Sequence, residues 1–249
     1  MRSILRRLIY SNQFIYNLYF DHGSISNLTL LDKKLKYYIL KMDCKSFVQI
    51  GANDGFSNDP LYKFIRRYKL TGIFVEPQKE VFEKLKKLHK HRGLYFENSA
   101  VGLENGNMNL YSYNFTNARW ANGLISFEKD HLLTSLKTSY VKKNALSEGI
   151  NIDKFRTDEL IGKKEVKVYD FNSLMRKYLF KNVDIIAVDV EGFEPKLIPS
   201  IDLAKFQPKI FLFEHRHLSE EDSILIYNHF ISYNYEVVEC EYDSLAIRK

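Results

Sequence analysis

Two carboxylate residues, Asp189 and Glu191, stand two positions apart at the end of the apolar run VDIIAVDV. In extended backbone they share one face, and ligands of open α/β sheets bind beyond the carboxyl ends of strands. Acids placed there need a partner, because burying an unpaired charge is costly. The pair is therefore expected to act as a general base, to hold a ligand's ammonium group, or to bind a metal ion.

A second titratable group, EHRH at residues 214–217, follows the apolar run KIFLF. Glu214 and His215 are expected to contact a substrate, and either could take a proton from a hydroxyl. Asp189 ranks first as the base, Glu191 second and His215 third, since an isolated histidine is more often structural. Asp189, Glu191 and Glu214 could alternatively hold Mg²⁺, a hard cation that prefers oxygen ligands.

A glycine-containing turn follows the apolar run FVQI. Glycine lets the backbone turn sharply and approach a ligand closely, as in folds that bind a dinucleotide pyrophosphate. The pattern is not GxGxxG, and the acid within the turn would repel a pyrophosphate but suit a sulfonium or an ammonium group. An ordinary turn between strand and helix is the alternative. The candidate ligand-binding residues are Gly51, Ala52, Asn53, Asp54 and Gly55.

Another carboxylate ends the next apolar run, in the sequence Val75-Glu76-Pro77. It lies about 20 residues after the glycine turn, where related folds place the acid that binds a ribose. One carboxylate can accept two hydrogen bonds, which suits a cis-diol. Glu76 and Pro77 are therefore predicted to contact a cofactor, with a surface glutamate at a strand end as the alternative.

The elements around these motifs alternate between strands and helices. Strands are predicted at residues 46–50, 72–75 and 94–101, with helices at 60–69 and 79–90 between them. This order favours a parallel sheet with right-handed crossovers. Further along, we predict a hairpin at Asn105-Gly106, a helix at 171–180 and strands at 108–113, 165–169, 183–190, 209–213, 235–238 and 242–247. The run 183–190 is expected to be the central strand, and the last two strands to form a terminal antiparallel pair.

The chain of 249 residues divides into two predicted parts. Residues 1–40 form a helical extension and residues 41–249 form the main domain, with a site-capping insertion at about 114–164. The extension is predicted to be a basic amphipathic helix that packs on the domain or on a partner subunit, and contact with a membrane surface is the alternative. No apolar run of about 18 residues occurs, so we expect no transmembrane helix and a cytoplasmic protein.

Composition restricts the partners only loosely. A net charge of +6 favours anionic partners, although a solvated lysine-rich surface explains the charge equally well. The two cysteines, Cys44 and Cys240, form no CxxC pattern, so we expect buried thiols and no zinc site.

Within the insertion, Arg119 and Trp120 are candidate substrate-binding residues. An indole face can stack on a sugar, and a guanidinium group suits phosphate. The alternative is that Trp120 packs in a core under a lid. Basic residues nearby could add to a site for a nucleotide-sugar diphosphate: Lys137, Lys142, Lys143 and Arg156.

Taken in order, the segments QIGANDG, FVEP, ENSAVG, DVEGFE and FLFEH resemble the FkbM family of methyltransferases over roughly residues 46–216. The resemblance implies a class I, Rossmann-like α/β fold with a seven-stranded, mostly parallel sheet. It also implies S-adenosyl-L-methionine (SAM) as cofactor and methylation of a hydroxyl, commonly on a sugar or a natural product. Gly51, Asn53 and Glu76 would contact the cofactor, and Ser99 and Ala100 would border its adenine.

The sequence is therefore interpreted as a SAM-dependent O-methyltransferase that acts on a nucleotide-linked sugar or glycan in bacterial surface polysaccharide (capsule) synthesis. A homo-oligomer assembled through the helical extension is expected. A nucleic-acid methyltransferase is the first alternative, although no NPPY-type motif or RNA-binding module is present. A dinucleotide-dependent oxidoreductase and a non-catalytic protein that binds SAM or a nucleotide are the others.

Overall fold

The computed structural model describes residues 28–249. The predicted helical extension lies mostly outside these residues, and so does its predicted role in assembly. The strands are β1 (Ser46–Ile50), β2 (Thr71–Val75), β3 (Leu94–Glu97), β4 (Ala100–Gly102), β5 (Gly106–Tyr113), β6 (Ile161–Asp170), β7 (Ile185–Val188), β8 (Ile210–Glu214), β9 (Tyr235–Cys240) and β10 (Asp243–Arg248).

The helices of the main layers are α1 (Leu30–Lys41), α2 (Tyr62–Tyr68), α3 (Lys79–Leu88), α8 (Phe171–Lys177), α9 (Glu194–Ser200), α10 (Leu203–Phe206) and α11 (Glu220–Ser232). Four short helices lie between β5 and β6, namely α4 (Arg119–Asn122), α5 (Lys129–Ser135), α6 (Ser139–Ser147) and α7 (Thr157–Leu160). A 3₁₀ turn, Ile152–Lys154, precedes α7.

Seven strands form the main sheet in the order β3-β2-β1-β7-β8-β10-β9. Strands β3, β2, β1, β7 and β8 pair in parallel, and β10 runs antiparallel to both β8 and β9. The predicted α/β class, the parallel order and the terminal antiparallel pair are confirmed. β7 is the fourth of the seven strands, as its apolar composition predicted.

Alternate residues of the strands bury opposite faces of this sheet. Val48 of β1 and Ile186 of β7 pack with α8, α9, α10 and α11 on one face. Phe47 and Ile185 pack with α1, α2 and α3 on the other face. This period of two, with both faces apolar, is what a sheet covered by helices on both sides requires.

α1 belongs to one of these helical layers. Thr29 caps its first turn and exchanges side-chain hydrogen bonds with Asp32 in a capping box. Leu31, Leu35 and Ile39 are buried in the same core as β1.

The predicted strand 94–101 is wrong as a single element. β3 ends at Glu97, and β4 joins a separate three-stranded sheet of order β4-β6-β5. Asn98 lies at the break, where its side-chain amide donates to the main-chain oxygens of Glu76 and Pro77.

The expected hairpin at Asn105-Gly106 is also wrong, because β6 lies between β4 and β5 in the small sheet. The Asn105 side chain instead donates to the Asp170 carboxylate and accepts from the Asp170 main-chain N–H. It therefore ties the start of β5 to the end of β6. β6 begins at Ile161, earlier than predicted, because its pairing with β5 continues to Tyr113.

Two further findings concern the composition. Cys44 and Cys240 are both buried and free, as expected. Within residues 28–249, none of the helices combines the length and apolar character needed to cross a membrane.

Candidate functional site

The loop after β1 lies in close contact with the end of β7. Gly51 has a φ of +75°, and a Cβ atom built there would lie 1.7 Å from the carbonyl oxygen of Asp189. The amides of Gly51 and Ala52 both donate to the Val75 oxygen, and the Asp189 amide donates to Ile50. Only glycine permits this approach, so the ends of β1, β2 and β7 meet at one point.

Glu76, which directly follows β2, fixes the same loop by hydrogen bonds to the main chain. It is 2 % exposed, and its two oxygens accept the main-chain N–H groups of Asn53 and Gln78, each at 2.8 Å. Burial raises the pKa of Glu76 to about 7. Each carboxylate oxygen has two lone pairs, so this bonding leaves acceptor capacity for a ligand.

A cleft of about 550 Å³, part of which is open to solvent, lies above these loops. Among the residues that the structure describes, its walls include three carboxylates and no lysine, arginine or histidine. The Ser99 hydroxyl is buried and has no hydrogen-bond partner. The lining residues are Ile50, Gly51, Asn53, Val75, Glu76, Pro77, Gln78, Ser99, Ala100, Val101, Leu110, Asn122, Gly123, Ile125, Ser126, Phe127, Asp189, Val190 and Glu191.

Most of the predicted cofactor residues line this cleft: Gly51, Asn53, Glu76, Pro77, Ser99, Ala100 and Asp189. Three others do not. Ala52 is buried in the core beneath α2 and α3, and Gly55 packs against Leu85 and His89. The carboxylate of Asp54 accepts the main-chain N–H groups of two residues of its own loop. The cofactor roles themselves stay predictions.

The segment after β7 carries the predicted acid pair. The side chain of Asp189 is exposed to the cleft, but protein surrounds it on the other sides. The pKa of Asp189 is raised well above the ordinary value, mainly by this enclosure and secondly by the negative charges of Glu191 and Glu214. Glu191 adopts a left-handed φ of 50°. Ser126 of the insertion donates to the Glu191 main-chain oxygen at 2.6 Å.

Glu194, which the motif analysis did not assign, fixes this segment. It is 2 % exposed and accepts the main-chain N–H groups of Val190 at 2.7 Å and Gly192 at 2.8 Å. Burial raises its pKa to about 7. The spacing Glu191-Gly192-Phe193-Glu194 could have indicated this, since a carboxylate at the start of a helix often accepts free N–H groups.

Glu214 and His217 of the EHRH segment lie near each other in the structure, whereas His215 turns away from them. Burial, with nearby acids, raises the pKa of Glu214 to about 8. His215 turns towards the sheet, where its Nδ1 lies 2.9 Å from the Ser244 hydroxyl, and it does not line the cleft. Ligand atoms of Glu191, Glu214 and His217 lie within 4.8 Å of one another. This group contains His217 where the predicted Mg²⁺ set contains Asp189.

His131 of the insertion also reaches this place, with its Nε2 3.5 Å from Glu191 Oε2. Its ring meets that of His217 edge to face, with centroids 5.2 Å apart. Sequence reasoning missed His131, because nothing in its local pattern relates it to residues far along the chain.

The insertion forms one wall of the cleft. Gln78 donates to the main-chain oxygen of Asn122 at 3.0 Å, and Lys196 pairs with Glu128 at 2.6 Å. With the Ser126 bond, these contacts join the insertion to the loops after β2 and β7. The insertion therefore closes one side of the cleft.

Neither predicted substrate residue of the insertion lines the cleft. Arg119 pairs with Asp54 at 3.1 Å. The indole N–H of Trp120 donates to Glu148 at 2.6 Å, and its ring lies beside those of Tyr113 and Phe115. The arrangement gives Trp120 a packing role, and its contact with a substrate stays a prediction.

The strand order, the single antiparallel strand near the edge and the cleft at the carboxyl ends of β1, β2 and β7 define a class I methyltransferase fold. Residues 49–240 match the methyltransferase FkbM domain. The chain therefore belongs to the FkbM family of methyltransferases. The comparison with curated proteins found no match.

Solved structures of methyltransferases are similar at low identity. A methyltransferase FkbM from Methylobacillus flagellatus KT is 10 % identical, with 82 % of this chain and 43 % of that chain covered and a TM-score of 0.49. A putative caffeoyl-CoA O-methyltransferase from Staphylococcus aureus is 8 % identical, with 100 % and 98 % covered and a TM-score of 0.44. The S-adenosylhomocysteine-bound Podospora anserina methyltransferase PaMTH1 is 8 % identical, with 100 % and 95 % covered and a TM-score of 0.40. The chain spans less than half of the first of these proteins.

Proposed function

We propose that the protein is a SAM-dependent O-methyltransferase that methylates a hydroxyl group of a sugar. The observation that carries this proposal is the charge of the cleft, whose walls, within residues 28–249, contain Glu76, Asp189 and Glu191 and no basic side chain. Such walls attract a cation and repel a pyrophosphate. SAM carries a sulfonium and an ammonium group, so the cleft suits it better than a dinucleotide.

The residues present fit SAM at three points. Glu76 would accept the ribose hydroxyls, the unpartnered Ser99 hydroxyl would border the base, and the acids after β7 would lie near the cationic portion. When bound, SAM supplies a methyl group that its sulfonium already activates. The chain's own residues must then align the acceptor and exclude water, and alignment alone can supply much of the rate enhancement.

Asp189 is the proposed base for the acceptor hydroxyl. It is exposed to the cleft, and its raised pKa makes it a stronger proton acceptor than an ordinary aspartate. Glu191 lines the same cleft and is the second candidate. His215 ranks below both, because its Nδ1 is bonded to Ser244 behind the site.

A sugar is the proposed acceptor because a neutral ligand rich in hydroxyls suits an acidic site. We extend the proposal to a nucleotide-linked sugar or glycan of a bacterial surface polysaccharide, modified in the cytoplasm. Its phosphate would lie away from the carboxylates, near exposed lysines of the insertion such as Lys137 and Lys143. Lys142 and Arg156 are less suited, because each pairs with an aspartate. A nucleic-acid acceptor is disfavoured, since its phosphates would meet the same acids.

Calorimetric titration with SAM and S-adenosylhomocysteine tests the cofactor. In Glu76→Gln we expect SAM affinity to fall about 10- to 100-fold, because a hydrogen bond to a charged group contributes about 1.5–3 kcal/mol. Asp184→Asn is the matched control. Asp184 also accepts two main-chain N–H groups, those of Lys45 and Ser46. It lies at the amino ends of β1 and β7, whereas the cleft lies at their carboxyl ends.

The two variants separate ligand binding from folding. Equal losses of SAM affinity in the two variants would mean that Glu76 affects binding only through the stability of its loop. Failure of the wild-type protein to bind either ligand would overturn the proposal.

A further inference from the structure

Four side chains from separate parts of the chain converge beside the cleft. Glu191 follows β7, Glu214 ends β8, His217 lies in the loop after β8, and His131 lies on α5 of the insertion. Nε2 of His217 is 3.7 Å from Glu191 Oε2 and 3.7 Å from Glu214 Oε2. Nε2 of His131 is 3.5 Å from the same oxygen of Glu191.

These separations are too long for good hydrogen bonds, which lie near 2.9 Å. Glu191 Oε2 and His131 Nε2 are both buried and have no hydrogen-bond partner among residues 28–249. Ligands bound to one tetrahedral Zn²⁺ at about 2.1 Å are about 3.4 Å apart. The observed distances are therefore close to those of donors arranged around a common ion.

The chemistry of the donors selects the class of ion. Among the described residues, the ion pairs of Glu191 and Glu214 are made with histidines, not with lysine or arginine. Two carboxylates thus stand together without an ion pair to lysine or arginine in the described part of the chain, although the charge of Arg216 acts on Glu214. Such a pair is favoured when a cation joins it. Imidazole nitrogen suits zinc and other transition metals, whereas Mg²⁺ and Ca²⁺ prefer oxygen.

We propose that Glu191, Glu214 and His217 bind one divalent transition-metal ion, with Zn²⁺ the best fit to the distances. The site departs from the sequence prediction, which considered only oxygen ligands for Mg²⁺ and cysteine patterns for zinc. Three protein ligands leave one tetrahedral position for a water or an acceptor oxygen. His131 borders the ion from the insertion, with its Nε2 3.5 Å from Glu191 Oε2.

The ion lies beside the reaction site, because Glu191 also lines the cleft. The role of the ion in catalysis rests on the proposed function, whereas the binding of the ion does not. An acceptor hydroxyl on the open position would be oriented and made more acidic, as metal-bound water is. The acceptor would then be a ligand that presents a hydroxyl oxygen to a metal, which fits a sugar.

Equilibrium dialysis of the chelator-treated full chain against Zn²⁺, followed by metal analysis, tests the site. We expect one Zn²⁺ per wild-type chain and binding at least about 100-fold weaker in His217→Ala and Glu214→Gln. His229→Ala is the control, because His229 is a partly buried histidine of α11, outside this group. It should bind Zn²⁺ like the wild type. Bound Co²⁺ should show the visible absorption of tetrahedral coordination in the wild type and lose it in His217→Ala.

Thermal unfolding with and without Zn²⁺ gives an independent readout, because an ion that binds only the native state raises the midpoint. The midpoint should rise in the wild type and in His229→Ala but not in His217→Ala. Absence of stoichiometric Zn²⁺, or equal binding in His217→Ala, would overturn the proposal. SAM titration of the same samples keeps this result separate from that of the proposed function.

Discussion

Replacing Gly51 by alanine tests whether the site depends on close contact between the ends of β1 and β7. Two separate costs follow from the structure. Alanine at a φ of +75° is strained, at a cost of about 1–2 kcal/mol. Its Cβ would also overlap the Asp189 carbonyl oxygen at 1.7 Å, and this neighbour is backbone that cannot rotate away.

The size of the second cost follows from the hydrogen bonds that must yield. Relieving the overlap requires a shift of about 1.5 Å, since ordinary contacts begin near 3.3 Å. Three main-chain bonds hold this point, from Gly51 and Ala52 to Val75 and from Asp189 to Ile50. At about 1 kcal/mol each, they bring the expected loss in Gly51→Ala to about 4 kcal/mol.

Gly149→Ala is the matched control. Gly149 has a φ of +80°, but nothing lies within 4 Å of a Cβ built there, so only the conformational cost applies. Urea denaturation followed by circular dichroism should show a loss of about 1–2 kcal/mol in Gly149→Ala and clearly more in Gly51→Ala. SAM binding should be lost only in Gly51→Ala. Equal losses of stability in the two proteins would refute the argument from contact.

Three further predictions concern catalysis, the insertion and pH. Asp189→Asn should lower kcat about 10²- to 10⁴-fold with a much smaller change in SAM affinity, and retained turnover would exclude Asp189 as the base. Trp120→Phe removes the N–H that bonds to Glu148, so it should cost about 1 kcal/mol in urea denaturation and leave acceptor KM unchanged. A raised KM would instead support the predicted contact with substrate. Burial raises the pKa of Glu194 and Glu214 to about 7 and about 8, so the native state keeps protons that the unfolded chain has lost. The free energy of unfolding should therefore fall from pH 6.5 to 8, by at most about 1.4 kcal/mol per pH unit for each group, and the contribution of Glu194 should end soon above pH 7. A rise in this range would contradict the assignment.

Local sequence patterns predicted the main sheet well. The runs that became β1, β2, β7 and β8 are short and almost wholly apolar, because helices cover both faces of their sheet. Each ends at a glycine or an acid, which marks the edge where the site forms. At the start of α11 the Ser219 hydroxyl accepts the Asp222 N–H and caps the helix.

The small sheet could not be predicted in the same way. β4 pairs with β6 in parallel across some 60 residues of chain, in the register Ala100 to Val168. Such pairing depends on the tertiary arrangement and leaves no mark in local periodicity. The chain leaves the main sheet at Asn98, whose side chain bonds to the loop after β2.

The site shows the same division. Glu76, Asp189 and Glu191 lie on strand ends that meet at one edge, so the sequence predicted that they would come together. His131 and His217 come from a helix of the insertion and a loop, and only the folded chain brings them to Glu191. Residues contributed by the sheet could be predicted, whereas those contributed by the covering segments could not.

Both loops that carry the site are held in the same way. Asn53 and Glu191 adopt left-handed conformations, with φ of 47° and 50°, which cost about 1–3 kcal/mol each. A buried glutamate, Glu76 in one loop and Glu194 in the other, accepts two main-chain N–H groups. Two hydrogen bonds to a carboxylate are sufficient to offset such a cost.

The two glutamates differ in one respect that bears on mechanism. Glu194 is absent from the cleft wall, so its carboxylate serves to hold the loop. Glu76 holds its loop and also lines the cleft, so the group that fixes the glycine turn is the one a ribose would engage. A ligand that donates a hydrogen bond to Glu76 would draw negative charge from the two oxygens that accept the Asn53 and Gln78 amides. Binding at this position and the order of the loop after β1 are therefore physically coupled.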